Sequence, residues 1–129
     1  MEKKPQILLI DDSKETVEGL KCHLCRNYMI HTAFNGLEAI KFFEQNRMGL
    51  DLVITDLVVP DLSGVALISM IKAKSPNTPI IAMTGWGKHP QELATESKAD
   101  VVLMKPFDLE DLDQSVSKLL NGKASRRAI

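Results

Sequence analysis

Four apolar stretches of this sequence each end at polar side chains that could take part in chemistry. The stretch ILLI ends at Asp11 and Asp12, LVIT at Asp56, IIAM at Thr84, and VVLM at Lys105. Short β-branched runs bounded by turn signals predict buried strands. The carboxyl ends of parallel strands meet at one edge of a sheet, where ligands and reactions collect. We therefore expect three carboxylates, one hydroxyl and one ammonium to share a site.

The three carboxylates would repel one another strongly in such a site. At ~5 Å and an effective dielectric constant of ~20, each close pair costs about 3 kcal/mol, which a single lysine cannot offset. Either a proton is retained or a hard cation binds. All-oxygen ligation with an open face suits Mg²⁺, which keeps several waters and pairs with phosphate oxygens.

Asp56 is the residue that we expect to react. An aspartate carboxylate can attack phosphorus and form an aspartyl-phosphate, and Asp56 comes from the predicted central strand, facing Lys105 across the pocket. In this hypothesis Asp11 and Asp12 belong to the metal site. Lys105 and the Thr84 hydroxyl hold the phosphoryl group, so the protein contributes positioning and charge stabilisation.

Five apolar runs alternate with five segments of helical periodicity along the chain. This alternation predicts an α/β fold with a doubly wound, five-stranded parallel sheet, in a flavodoxin-like three-layer sandwich with five helices. The strand order 2-1-3-4-5 opens a switch point between strands one and three, beside the acidic residues. Helix caps are predicted at Ser13 or Asp12, at Asn35 with Glu38 three residues on, and at Ser63.

The length of 129 residues predicts a single domain, 1–129. Its core is expected over 5–121, and 122–129 read as a basic tail or the start of a linker. We expect Asn121–Gly122 to end the last helix. The fourth helix, over about 90–97, offers the weakest apolar face of the five.

The charge balance and hydropathy exclude several classes of protein. Lys plus Arg number 16 against 17 for Asp plus Glu, which does not indicate a general nucleic-acid or membrane surface. No apolar run approaches the roughly 20 residues that span a bilayer, and the first residues lack the apolar core of a signal peptide. We expect a cytoplasmic protein that is a monomer or a weak dimer.

Cys22 and Cys25 form a C-x-x-C spacing that could indicate a redox pair or half of a metal site. No second cysteine pair exists, and His23 and His31 do not complete a zinc-ligand spacing. Both cysteines lie within a predicted helix rather than at its N-terminus, where a thiolate would be stabilised. We therefore expect two reduced thiols.

The chain closely resembles the receiver domain of two-component response regulators, of the chemotaxis-type single-domain kind, over about 5–121. The segments that carry the resemblance are ILLIDDS, AFNGLEAI, LVITDLVVPDLSG, PIIAMTG and ADVVLMKPF. It implies phosphoryl transfer to Asp56 from a histidine kinase or a histidine phosphotransfer protein. The domain would then switch conformation to regulate a partner or an output domain.

The same resemblance implies a role for each site residue, with Mg²⁺ required. Metal ligation falls to Asp12, Asp56 and the backbone carbonyl of Val58, while Asp11 acts through water. Thr84 bonds the phosphoryl group, Lys105 pairs with it, and the Lys105–Pro106 peptide bond is cis. The partner surface implied is the face formed by the last two helices and strand five.

Three positions depart from the family pattern. Val102 stands where the family usually has Tyr or Phe as a rotameric switch, so either Trp86 takes over the coupling or the switch uses loops alone. The positions two residues beyond Asp56 and Thr84 tune hydrolysis in the family, and here they hold apolar Val58 and Trp86. Neither can orient an attacking water, so slow autodephosphorylation is expected.

Three other functions compete with this hypothesis. A phosphatase that turns over an aspartyl-phosphate needs a general acid near the nucleophile, commonly two residues on, and Val58 cannot serve. A non-phosphorylated scaffold with the same fold is disfavoured because all five pocket residues are present. A DNA-binding regulator would need a recognition helix, which is not found here, so any output domain is expected beyond Ile129 or on another chain.

Overall fold

A computed structural model of the chain describes residues 4–85 and 97–127, the side chains of 123–127 excepted. Its sheet has five strands in the order β2-β1-β3-β4-β5, and all four neighbouring pairs are parallel. The predicted strand order is confirmed, with β2 at one edge. The strands are β1 Gln6–Ile10, β2 Met29–Ala33, β3 Leu52–Asp56, β4 Ile80–Thr84 and β5 Val101–Met104.

Four helices connect and follow these strands within the described ranges. The predicted fourth helix of the five lies almost entirely outside the described residues. None of the described helices combines the length and the apolar character needed to cross a bilayer. The helices are α1 Lys14–Leu24, α2 Gly36–Asn46, α3 Gly64–Lys74 and α4 Leu109–Arg127.

The side-chain caps predicted for the first three helices are present. In each, a polar side chain at the N-cap accepts a hydrogen bond from a backbone N–H of the first turn, which would otherwise lack a partner. These caps fix where the loop after each strand stops. The bonds join Ser13 to Thr16 N at 3.3 Å, Asn35 to Glu38 N at 2.8 Å, and Ser63 to Ala66 N at 3.0 Å.

The core has two layers, one on each face of the sheet. Every residue of β3 and β4 is buried, as expected for parallel strands covered on both faces, and this explains their continuous apolar runs. One cluster packs beneath α2 and α3 and is centred on Phe43, Leu67 and Ile68. The other packs beneath α1 and α4 around Leu20 and Leu112. The three-layer sandwich is thus confirmed.

The prediction that Asn121–Gly122 ends the last helix is wrong. α4 continues through Gly122 to Arg127. A glycine in a helix interior costs about 1 kcal/mol relative to alanine, and the Lys, Ala and Arg residues that follow are good helix formers. Residues 122–127 therefore prolong the helix.

Candidate active site

The candidate site lies at the carboxyl edge of the sheet, where the strands deliver the residues singled out in the sequence. Asp11 directly follows β1, while Asp56 and Thr84 are the last residues of β3 and β4. Lys105 follows β5, and its backbone N–H donates to the Thr84 carbonyl at 2.7 Å. The Lys105–Pro106 peptide bond is cis, as predicted. Adjacent parallel strands therefore end side by side at this edge.

Lys105 bridges two buried carboxylates. Its Nζ lies 2.8 Å from Asp11 Oδ2 and 2.8 Å from Asp56 Oδ2. Asp11 is 1% exposed and Asp56 is 8% exposed, so both charges are largely withdrawn from water. The sequence placed Lys105 opposite Asp56. The structure adds that the same ammonium contacts Asp11.

The second oxygen of each carboxylate is held by the backbone. Asp11 Oδ1 accepts from the Ser13 N–H at 2.9 Å, and Asp56 Oδ1 accepts from the Val58 N–H at 2.8 Å. In both cases an aspartate bonds the amide two residues on, which is the Asx-turn pattern. Each carboxylate is consequently fixed at both oxygens. Sequence reasoning missed these amides, although an aspartate at a strand end before a loop is the signal for such a turn.

The surroundings of Lys105 stabilise its charged form. Burial lowers its pKa, but the hydrogen bonds to Asp11 and Asp56 and the charges of both carboxylates outweigh that effect, so the pKa is raised above its usual value. Lys105 therefore remains protonated throughout the physiological range.

The remaining predicted residues lie at the same edge but outside this contact. Thr84 is buried at the end of β4, whereas Asp12 and Val58 are exposed, Val58 by 57%. Within 4–85 and 97–127, no three His, Cys, Asp or Glu side chains form a ready-made metal site. Trp86, the other residue at a tuning position, lies outside the described residues.

An open groove adjoins Lys105 on the α1 side of the site. It encloses about 530 Å³ between the first turns of α1 and the loop that joins β5 to α4. Most of its surface is apolar, and Glu15, Thr16 and Lys105 contribute polar groups to it. Its lining comprises Glu15, Thr16, Gly19, Leu20, Lys105, Pro106, Phe107 and Leu109.

Comparisons with known proteins agree on one family. The family model described as response regulator receiver domain matches residues 7–117. Transcription factor SKN7 of Chaetomium thermophilum is 32% identical over 122 residues, which is 92% of this chain and 16% of that protein. Transcriptional regulatory protein PrrA of Mycobacterium bovis is 28% identical over 94% of this chain and 52% of its own length. The chain thus spans about half or less of these curated relatives.

Solved structures show the same fold. A response regulator receiver domain protein from Clostridium thermocellum superposes with a TM-score of 0.85 at 31% identity, covering 93% of this chain and 97% of that one. The response regulator protein TrrA from Thermotoga maritima, solved in complex with Mg²⁺ and BeF, gives a TM-score of 0.79 at 36% identity. That comparison covers 90% of this chain and 99% of TrrA.

Proposed function

The chain belongs to the response regulator receiver domain family, and on that premise we propose that Asp56 accepts a phosphoryl group in a two-component phosphorelay. The observation that carries this proposal is the setting of the Asp56 carboxylate. One of its oxygens is held by the Val58 N–H and the other is 2.8 Å from the Lys105 ammonium. A carboxylate fixed in this way, at the open edge of a sheet, is oriented for attack on an incoming phosphorus atom.

Mg²⁺ fits the groups at this edge. The carboxylates of Asp11, Asp12 and Asp56 carry three negative charges and Lys105 one positive charge, so two negative charges remain to be balanced. A divalent cation with oxygen ligands matches that remainder. We propose that these carboxylates and the Val58 carbonyl hold Mg²⁺, Asp11 through water. When bound, the ion neutralises charge on the transferring phosphoryl oxygens.

The transfer itself requires little of the protein beyond placement. An Asp56 oxygen attacks phosphorus, a P–O bond forms, and the bond from phosphorus to the donor nitrogen breaks as the imidazole leaves. Lys105 keeps its contact with Asp11 and turns its remaining N–H groups from Asp56 to the phosphoryl oxygens, which carry more charge. The Thr84 hydroxyl donates to one of the same oxygens. The raised pKa keeps Lys105 charged throughout.

The proposed donor is a histidine kinase or a histidine phosphotransfer protein, and its phosphohistidine must reach this edge. The groove beside Lys105 is open and mostly apolar, so it provides a surface for such a protein close to Asp56. The output is a partner protein or a further domain, and we propose neither nucleic acid nor membrane as a direct ligand of this domain. The free, exposed Cys22 and Cys25 are compatible with the cytoplasm, which we propose as its location.

Labelling by a small phosphoryl donor tests this proposal. The intact chain is incubated with acetyl phosphate and Mg²⁺, and its mass is followed. We expect one phosphoryl group on the wild type and none on Asp56→Asn. Asp51→Asn is the matched control, because Asp51 precedes the same strand and its Oδ2 binds the Gln6 N–H at the opposite edge. It should be labelled like the wild type.

The other outcomes separate the competing functions. A folded chain that binds Mg²⁺ yet takes no label would support a non-phosphorylated scaffold. Continuous consumption of the donor without label accumulating would support a phosphatase. Labelling of Asp51 or another carboxylate would contradict the assignment of Asp56.

The phosphorylated state should be long-lived, because the side chain of Val58 is exposed at this edge and has no group that could orient water. We propose that the domain is a phosphoacceptor that assists its own slow dephosphorylation, rather than an enzyme acting on other substrates. Loss of the label should take minutes or longer without a phosphatase. Val58→Asn should speed it roughly tenfold, the effect of one hydrogen bond that orients the attacking water. A half-life of seconds in the wild type would contradict this account.

A further inference from the structure

The loop after Asp56 is anchored on a helix that sequence reasoning did not connect with it. We call residues 57–63 the acceptor loop. Within it, Asp61 adopts a left-handed backbone conformation with φ 68°. Its Oδ1 accepts from the Gly36 N–H at 2.9 Å and its Oδ2 lies 3.4 Å from the Leu37 nitrogen. The first two N–H groups of α2 are therefore directed at a carboxylate 25 positions away in sequence from Gly36.

Gly36 allows this contact to form. A Cβ at that position would lie 2.6 Å from Leu62 Cβ and 2.9 Å from Asp61 Oδ1, both closer than real contacts. The Gly36 N–H also lies 3.4 Å from the Pro60 carbonyl oxygen. The start of α2 and the acceptor loop thus touch through a position where any side chain would push them apart.

The residue that begins the acceptor loop contacts the first residue of α3, which follows the loop. The Gly64 N–H donates to the Leu57 carbonyl at 3.1 Å. A Cβ on Gly64 would lie 2.4 Å from Leu57 Cα, so this approach also requires glycine. The loop is held at Leu57 by α3 and at Asp61 by α2, and Val58 lies between these two attachments.

We propose that Asp61 is a positioning residue, which holds the acceptor loop so that the Val58 peptide faces the Asp56 carboxylate and its metal. This inference rests on the proposed function and deepens it. The Val58 N–H already bonds Asp56 Oδ1 at 2.8 Å, and the Val58 carbonyl belongs to the same short segment. Asp61 is three residues further on, so movement there is passed directly to that segment.

Asp61 contributes to the conformation of the acceptor loop more than to the stability of α2. Asn35 already caps α2 by accepting from the Glu38 N–H at 2.8 Å, so α2 has its own local cap. Aspartate is among the few residues that adopt the left-handed conformation readily, and its charge is favourable at a helix N-terminus. Asp61 therefore restrains the acceptor loop by using α2 as a fixed support.

Three single variants separate positioning from helix stability. Asp61→Gly keeps the left-handed backbone but removes the acceptor. Asp61→Asn keeps both the backbone preference and one acceptor oxygen. Asn35→Ala removes the local cap of α2 without touching the acceptor loop. For each variant of the full chain, Mg²⁺ affinity is measured by calorimetry, unfolding by urea, and labelling rate by acetyl phosphate across Mg²⁺ concentrations.

We expect Asp61→Gly to weaken Mg²⁺ binding roughly tenfold, which is the lower end of the loss expected when the support of a metal ligand is removed. Its labelling should be slow at low Mg²⁺ and should recover when Mg²⁺ saturates. Asp61→Asn should stay close to the wild type. Asn35→Ala should lower stability toward urea and leave Mg²⁺ affinity unchanged.

Gly36→Ala provides an independent route to the same contact, since its methyl group displaces the acceptor loop from α2. It should weaken Mg²⁺ binding as Asp61→Gly does, and the double variant should be little worse than either alone. Wild-type Mg²⁺ affinity in Asp61→Gly would overturn the proposal, as would an equal loss in Asn35→Ala. A wild type that neither binds Mg²⁺ nor takes label would instead overturn the proposed function, and this inference with it.

Discussion

Two lysine–aspartate clusters lie at opposite edges of the sheet, and they differ in how their charges balance. At the carboxyl edge, Lys105 contacts both Asp11 and Asp56 at 2.8 Å, and the exposed Asp12 is the next residue after Asp11 in the chain. At the amino edge, Lys72 contacts the single carboxylate of Asp100 at 2.8 Å. The first cluster has an excess of two negative charges and the second has none.

The balanced cluster is accounted for by the fold alone. Lys72 also donates to the Thr78 carbonyl at 2.9 Å, and Asp100 Oδ2 accepts from the Ile80 N–H at 2.7 Å. These bonds fasten α3 and the segment before β5 to the start of β4. At the carboxyl edge the bonds of Asp11 and Asp56 to Lys105 and to the backbone still leave two negative charges unbalanced, and the proposed Mg²⁺ site accounts for that excess.

Loss of the lysine should affect the two clusters unequally. Lys105→Met leaves two buried carboxylates without their cation, and we expect it to lower the free energy of unfolding by about 3–5 kcal/mol without Mg²⁺. Lys72→Met should cost about 1 kcal/mol, because the Asp100 side chain is 37% exposed and solvent screens its charge. Urea denaturation of both variants without metal measures this.

Added Mg²⁺ should narrow the stability difference between Lys105→Met and the wild type, because the ion replaces the missing positive charge beside Asp11 and Asp56. It should leave the difference between Lys72→Met and the wild type unchanged, because both proteins keep the same proposed metal site. Equal losses in the two variants, or equal responses to Mg²⁺, would remove the distinction between the clusters.

Neutralising an aspartate should have opposite signs at the two edges. Asp56→Asn should stabilise the metal-free protein by about 1 kcal/mol, because relief of repulsion with Asp11 exceeds the loss of one charged contact to Lys105. The asparagine oxygen can still accept from the Val58 N–H. Asp100→Asn should destabilise by about 1 kcal/mol, since its carboxylate is balanced. Thermal melting without divalent cations measures both, and a shift of the same sign would count against charge excess.

Mg²⁺ should raise the melting temperature of the wild type by mass action. At a hundredfold excess over its Kd, the bound ion adds about 2.7 kcal/mol to the free energy of unfolding. Asp56→Asn should gain less, because the proposed metal ligand at this position has been replaced by a neutral group. An unchanged wild-type melting curve would mean that the acidic residues do not bind the ion.

The smallest expected effect is on how protein stability depends on pH in the alkaline range. The pKa of Lys105 is raised in the folded protein, so its contribution is fully present below the unfolded-state pKa of about 10.4 and is lost as pH rises through the folded value. Above pH ~10.4 the wild type should therefore lose stability more steeply than Lys105→Met. Urea midpoints of both proteins, measured below and above that pH, test whether the wild type loses more stability. If the two midpoints fell equally with pH, the contacts of Lys105 with Asp11 and Asp56 would not stabilise its charged form.

Much of the fold follows from local patterns in the sequence. β3 and β4 are uninterrupted apolar runs because both faces of a parallel sheet are covered, so their ends, and with them Asp56 and Thr84, could be located in advance. The caps at Ser13 and Asn35 likewise follow from chemistry within four residues. What is local in sequence was predictable.

The features that were missed depend on distant groups. The contact of Asp61 with Gly36 joins the acceptor loop to the start of α2, and their proximity is set by the packing of α2 in the fold. Aspartate is too common in loops to indicate such a contact. The bridge from Lys105 to Asp11 joins the ends of β5 and β1, between which β3 and β4 lie in the sheet, so no local sequence pattern indicates it. At Gly122 the glycine signal was outweighed by the helix preference of its neighbours.

Direct location of the acyl phosphate tests the central claim most sharply. The wild type is exposed to acetyl phosphate with Mg²⁺, the acyl phosphate is reduced with borohydride, and the resulting homoserine is located by peptide sequencing. Our account predicts homoserine at position 56 and at no other aspartate, with none formed when Mg²⁺ is withheld. Homoserine at another position, or none in a folded protein with Mg²⁺ present, would contradict it.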